Sequence, residues 1–311
     1  MMLKRSLLNM TQPLVSILIP VIGNPAYLEL ALTSALLQTY TNIEIIIRDP
    51  SPTNEIQLLL EKSYLPFSNK ITYIKEFQYT SKPQAFQKMI NYANGDYINF
   101  LLEKDLFYPT KIEKMLNYFT DDSSKNIKLV TSLSEKIDMH GNLFSNDLSK
   151  EIMCEEDLRL DGLSSGGLIL KNRNYISGLS TPLFKKRDLI EPFGHFAQQD
   201  FKQEPELASW LTLLSQGSFV LVADKLIFER LDKNITFKKS NLLLIADWIH
   251  LIRLGKQYGF LRSLTVKNTI ICQVSKWINT LLLDQQKILT LEERYELFEY
   301  KNFLESFQIN P

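Results

Sequence analysis

Between Val15 and Tyr118 short β-branched or aromatic runs alternate with stretches of helical apolar spacing, a pattern few folds accommodate. Val15-Ser16-Ile17-Leu18-Ile19 reads as a strand ending at Pro20. Asn24 then Pro25 supplies an N-cap and a first-turn proline for a helix carrying Leu28, Leu30, Ala31, Ala35 and Leu36. Ile43 to Ile47 and Ile71 to Ile74 read as further strands. Thr53/Asn54 caps a helix through about Lys62, and Lys82 to Tyr92 is a helix that stops before Asn94-Gly95. A fourth strand follows, Tyr97-Ile98-Asn99-Phe100-Leu101-Leu102, and Pro109 starts a helix to about Tyr118. Such alternation implies an α/β class: a Rossmann-like, mostly parallel central sheet with helices on both faces and right-handed crossovers.

The fourth strand ends in Glu103-Lys104-Asp105. Ligands bind outside the carboxyl ends of strands in open α/β sheets, so this cluster is a candidate site. Two carboxylates one residue apart could hold a divalent cation, and through it a diphosphate, while the lysine between them would repel that cation.

Composition removes several function classes. Lys+Arg 35 balances Asp+Glu 35, so no basic excess points to nucleic acid or to an anionic membrane surface. Cys154 and Cys272 are far apart and without metal-ligand spacing; they could form one disulfide, but read more simply as reduced core or surface thiols of a cytoplasmic protein. His140, His195 and His250 form no zinc pattern. The basic, briefly apolar start is broken by Thr11-Gln12-Pro13 before an apolar core of signal length develops. No apolar run approaches the ~20 residues a spanning helix requires. A cytoplasmic protein is expected, with peripheral association at the inner face of the cell membrane left open.

Beyond residue 125 the pattern becomes mixed. Leu129 to Leu133 reads as a strand, Asp138-Met139-His140-Gly141-Asn142 as a hairpin turn, and Ser180 to Phe184 as a short strand. Glu206 to Leu214 reads as a helix, and 219–222 and 226–228 as two more short strands. Residues 241–258, 264–283 and 290–307 carry helical spacing throughout, which reads as a helical appendage with an oligomer or acceptor role, a homodimer through this tail included.

Several segments together resemble a known family. Pro13 to Pro20, Leu37-Gln38-Thr39-Tyr40-Thr41-Asn42-Ile43-Glu44-Ile45-Ile46, Asp49, Gly95-Asp96-Tyr97-Ile98 and Pro109 follow, in order and spacing, the family 2 glycosyltransferases. Those are inverting enzymes of the GT-A fold. The resemblance covers roughly residues 13–232, and Gln38-Thr39-Tyr40 is its most specific part. It implies an N-terminal extension (1–12), a GT-A domain (13–235) and a C-terminal all-helical add-on (236–311). The domain would have a nucleotide-binding half (13–120) and an acceptor-binding half (121–235).

Site residues carry over by position. The turn Pro20-Val21-Ile22 stands where the family holds the nucleotide base, with Ile22 in place of an aromatic. Asp49 remains from an acidic pattern whose carboxylate accepts from the uracil ring, although it would also suit helix capping. Anchored on Pro109, the family's Asp-x-Asp-Asp metal motif falls on Leu102, Glu103, Lys104 and Asp105. Three readings stay open. Glu103 and Asp105 grip Mg²⁺ or Mn²⁺, or Lys104 replaces the metal against the diphosphate, or the loop has lost catalysis. Glu206, four residues before Trp210, stands at the catalytic base; Glu204 and Asp200 are fallbacks, and an acid in a first helical turn also suits the helix dipole. Gly178, Ser180, Thr181 and Trp210 fall on the acceptor side, and Arg230 near the diphosphate. The implied reaction is inverting hexosyl transfer from UDP-glucose, UDP-galactose or a UDP-N-acetylhexosamine to a glycan, glycoprotein or lipid-linked acceptor of a bacterial type. The competing expectation is a non-catalytic GT-A-like partner or scaffold with a degenerate metal motif.

Overall fold

The structure, a computed structural model, describes residues 12–76, 80–144, 154–172, 176, 178–231, 241–284 and 289–309. Strands β1 (Val15–Pro20), β2 (Ile43–Asp49), β3 (Ile71–Lys75) and β4 (Tyr97–Phe100) run parallel, with β1 between β2 and β4. Helices α1 (Pro25–Leu36), α2 (Glu55–Ser63) and α3 (Lys82–Tyr92) form the crossovers. The Asn24 side chain caps α1 by accepting from the N–H groups of Ala26 and Tyr27, as a residue in the N-cap position should. Ile17, Leu18 and Ile19 are all buried because helices cover both faces of the sheet, which is why β1 reads as an unbroken apolar run.

The second half is mixed. It comprises β5 (Leu106–Phe107), α4 (Lys111–Asp121), β6 (Ile127–Ile137), β7 (Leu158–Leu160), α5 (Gly162–Lys171) and β8 (Leu183–Lys185). Then come β9 (His195–Phe196), β10 (Gln199–Asp200), α6 (Pro205–Leu214) and β11 (Ser218–Arg230). The main sheet runs β3-β2-β1-β4-β8-β6-β11-β5, with β8 antiparallel to both β4 and β6, and β6 parallel to β11. The two short strands expected at 219–222 and 226–228 are one strand, β11, whose register against β6 shifts between Val222 and Ile227. The strand expected from Ser180 begins only at Leu183, because Ser180 and Thr181 belong to the preceding turn.

Helices α7 (Leu242–Gln257), α8 (Leu264–Leu283) and α9 (Leu291–Ile309) follow the expected helical spacing. They share a core with the sheet: one apolar cluster runs from Leu18 and Phe100 through Phe193 and Trp210 to Trp248, Ile270 and Leu304. Helix α5 was not expected, since its Gly162-Leu163-Ser164-Ser165-Gly166-Gly167 start is poor in helix formers. Its glycines answer to packing instead. A Cβ on Gly166 would lie 2.3 Å from the Phe260 ring, and one on Gly167 2.4 Å from the Phe260 carbonyl oxygen. The bend between α7 and α8 presses that closely on α5, so only hydrogen fits.

The Gln38-Thr39-Tyr40 phrase acts as a staple. Gln38 donates to the Tyr108 carbonyl (2.8 Å) and accepts from the Ile112 N–H (3.0 Å), tying the end of α1 to the start of α4. The Tyr40 hydroxyl donates to the Pro13 carbonyl at 2.5 Å.

Candidate active site

The carboxyl ends of β1, β2 and β4 meet on one edge, and the three acids expected to act there each serve the protein itself. Glu103 and Lys104 occupy the middle of a turn closed by the Asp105 N–H on the Leu102 carbonyl, 2.9 Å away. Glu103 is 1% exposed and faces the β1–α1 turn, where its carboxylate accepts from the backbone N–H groups of Ile22, Gly23 (3.1 Å) and Asn24 (2.6 Å). Burial raises its pKa, and the three donors oppose that rise without cancelling it. Asp105 is buried on the other side, accepting from the Ser180 hydroxyl (2.7 Å) and the Arg230 N–H (3.2 Å); burial raises its pKa as well.

Asp49, fully buried, accepts from Lys75 Nζ (2.9 Å), the Tyr73 hydroxyl (2.8 Å) and the Ser51 N–H (2.8 Å). Burial alone would raise its pKa, but hydrogen bonds from Ser51, Lys75 and Tyr73 outweigh it and hold the group below the usual carboxylate range. Lys75 was not foreseen as its partner, because only the β2–β3 register, which sets Asp49 beside Lys75, brings them together. Of the base-binding turn, Val21 is buried and Ile22 projects, 77% exposed.

Arg230 is also an internal brace. Its Nε donates to the Lys104 carbonyl (3.1 Å) and its Nη1 to the Asp138 carbonyl (2.8 Å), and the guanidinium lies 4.9 Å from the centre of the Tyr27 ring. Ser180 and Thr181, expected on the acceptor side, are fully buried: the Ser180 hydroxyl accepts from the Leu102 N–H and the Thr181 carbonyl accepts from Lys111 Nζ. Gly178 closes on Glu229, whose carboxylate oxygen would lie 2.3 Å from a Cβ there and would have to shift. Trp210 packs edge-on against Phe184 and Phe193 within the core. Beneath the turn, fully buried Lys111 donates to Asn99 Oδ1 (2.6 Å) and is driven well below its ordinary pKa by desolvation.

Glu206 differs. It lies in the first turn of α6, partly exposed, and its carboxylate is held by the ammonium of Lys82 at the start of α3. Beside that pair an open cleft of about 610 Å³ runs between α3 and the β9–β10 hairpin, lined by Ser81, Gln84, Gln87, Phe193, His195 and Asp200 among others. The fallback acid Asp200 thus lines the cleft, while Glu204 is buried with Trp248 Nε1 on its carboxylate, 3.3 Å away. Sequence reasoning missed Lys82 and also Asp247 of α7, whose Oδ2 accepts from the N–H groups of Gln203 (2.7 Å) and Glu204 (3.1 Å) at the start of α6. Neither has a local sequence signal, since each meets its partner only after the chain folds.

Residues 16–134 match the model of glycosyl transferase family 2. This chain carries a family 2 glycosyltransferase domain. An uncharacterized glycosyltransferase of Rickettsia prowazekii is 34% identical to it over 119 residues, 38% of this chain and 36% of that protein. The chondroitin synthase of Escherichia coli is 30% identical over 146 residues, 47% of this chain and 21% of that protein. The chain spans less than two thirds of the length of these relatives. Among solved structures, Staphylococcus aureus TarS 1-349 in complex with UDP-GlcNAc superposes with a TM-score of 0.59 at 13% identity, over 93% of this chain and 80% of that one. The mannosyltransferase PcManGT of Pyrobaculum calidifontis, in complex with GDP-Man and Mn2+, gives 0.53 at 12% identity, over 96% and 84%. At such identities the likeness establishes a GT-A-like fold.

The transferase fold raises the question of a divalent cation, and the residues present do not fit one. A hard cation needs oxygen lone pairs converging on it. The expected ligands Glu103 and Asp105 face opposite ways and hold protein donors, and a lysine stands between them. Among the described residues no group of three or more His, Cys, Asp and Glu side chains could hold a metal ion.

Proposed function

We propose that this chain transfers a hexose from a UDP-sugar to a hydroxyl of a glycan, glycoprotein or lipid-linked acceptor, with inversion at the anomeric carbon. Glu206 carries this reading: unlike Asp49, Glu103, Asp105 and Glu204 it stays partly exposed, and it sits in the first turn of a helix beside an open cleft whose lining includes the fallback acid Asp200. Its carboxylate removes the acceptor proton as the hydroxyl oxygen attacks the anomeric carbon, and the bond from that carbon to the phosphate oxygen breaks to release UDP. Lys82 orients the carboxylate. The hydroxyls, amides and aromatic edge of the neighbouring cleft suit a carbohydrate chain lying across it. The exposed Ile22 side chain on the β1–α1 turn faces the nucleotide base in this reading, with Asp49 and Lys75 paired beneath it.

A second reading, a non-catalytic GT-A-like partner protein, is favoured by Asp49, Glu103 and Asp105 all being internally bonded. UDP release decides between the two. With UDP-glucose, UDP-galactose and the UDP-N-acetylhexosamines as donors, Glu206→Gln is expected to lower release by roughly 10²–10⁴, the usual worth of a general base. Wild-type release no higher than that of the variant, with every donor, favours the partner protein. Among the described residues no helix is long and apolar enough to cross a membrane.

A further inference from the structure

Resting on that reading, we propose that the donor diphosphate is held here without a divalent cation, with the Lys104 ammonium supplying the positive charge. The turn after β4 has four side chains to offer, and three are committed. Leu102 packs on the apolar core. Glu103 closes the β1–α1 turn, and swinging it outward to a cation would strip Ile22, Gly23 and Asn24 of their acceptor. Asp105 holds Ser180 and the Arg230 backbone, so the same movement would break the link between this turn and the end of β11. At the ends of β2 and β3, Asp49 already neutralises Lys75, and Glu76 is paired with Arg48 and Lys88.

Lys104 is the side chain left over. It is half-buried at the tip of the turn, and among the described residues no carboxylate forms an ion pair with it. Its backbone is fixed by Arg230, whose guanidinium grips the Lys104 carbonyl and the Asp138 carbonyl at once. A lysine on a rigid turn can bind a phosphate oxygen as a point charge, without an entering metal. The brace formed by Glu103, Asp105 and Arg230 therefore does in backbone geometry what a bound cation does elsewhere: it sets the turn before the donor arrives. A single ammonium carries less charge than a divalent ion, and its attraction is screened by salt.

Isothermal titration of the full chain with UDP, in EDTA and then in Mn²⁺, tests this. The expected result is one Kd, equal within about twofold in the two buffers, that weakens as ionic strength rises. Lys104→Ala should weaken UDP binding by roughly tenfold or more in both buffers, with Lys104→Arg retaining most of it, since a charged hydrogen bond is being removed or kept. Thermal unfolding of each variant reports whether the fold is intact. Binding at least tenfold weaker in EDTA than in Mn²⁺ overturns the metal-free site and leaves the transfer reading standing. UDP binding in neither buffer overturns both. As a converse, Lys104→Asp should abolish binding in EDTA, and unchanged EDTA binding by that variant also overturns the proposal.

Discussion

On the β4–β5 turn, Glu103 and Asp105 point into the protein and accept from backbone and hydroxyl donors. At the start of α6, Glu204 likewise points inward, but Glu206, two residues on, stays partly exposed against a lysine that is itself 60% exposed. Both clusters consist of acids at the ends of regular elements, and what separates them is the supply of nearby N–H groups. A carboxylate surrounded by such donors becomes a structural brace, and moving it would orphan every group it satisfies. A carboxylate held only by an exposed ammonium keeps lone pairs for chemistry. The second cluster is also organised from a distance. Asp247 and Trp248 of α7 grip the residues just ahead of α6, so the C-terminal helices help to aim the helix that carries Glu206.

Stability measurements separate the two kinds of acid most sharply. Glu103→Ala leaves three backbone donors without their carboxylate and should cost about 3 kcal/mol in urea unfolding. Glu206→Gln, at a partly exposed site, should move the same midpoint by no more than about 0.5 kcal/mol. Equal losses would erase the distinction. Next in size, Asp247→Ala removes a side-chain acceptor from the α6 start and should cost about 1–2 kcal/mol, the usual range for a lost cap. It should also slow UDP release while UDP affinity holds, because the base moves and the nucleotide site does not. A fall in affinity alone would argue against that aiming role.

The smallest effects lie in the pH profile, where the acids differ in sign. The pKa of Asp49 is lowered by folding, so its stabilising share is present above the unfolded carboxylate value and is lost as pH falls through its folded pKa. That of Glu103 is raised, so stability falls as pH rises from the unfolded value through the folded one. Across the carboxylate range, the stability of the wild type relative to Asp49→Asn should therefore rise with pH, while that relative to Glu103→Gln should fall. Parallel slopes would show that the two acids sit in like environments.

Much of the frame was legible in the chain. Apolar periodicity located β1 to β4, α1 to α4, α6 and the three C-terminal helices, and Pro205 ahead of Trp210 marked the helix start on which Glu206 sits. The Gln38-Thr39-Tyr40 phrase was legible as a family mark, and its work as a staple between α1 and α4 came only with the structure. Helix α5 escaped because its glycines obey the close approach of Phe260 rather than helix propensity. The expected metal grip at Glu103 and Asp105 rested on residue type and spacing, and neither specifies which way a turn residue faces.

The sequence by itself determined where chain segments become strands and helices, because burial on one face or two leaves a periodic trace along the chain. Which acids stay free was decided by tertiary structure. Glu103 meets residues about eighty positions away, Asp105 meets Arg230, and Asp49 meets Lys75 through strand register. A carboxylate's role depends on its local donors and dielectric, and those are assembled from distant parts of the chain only when the sheet closes.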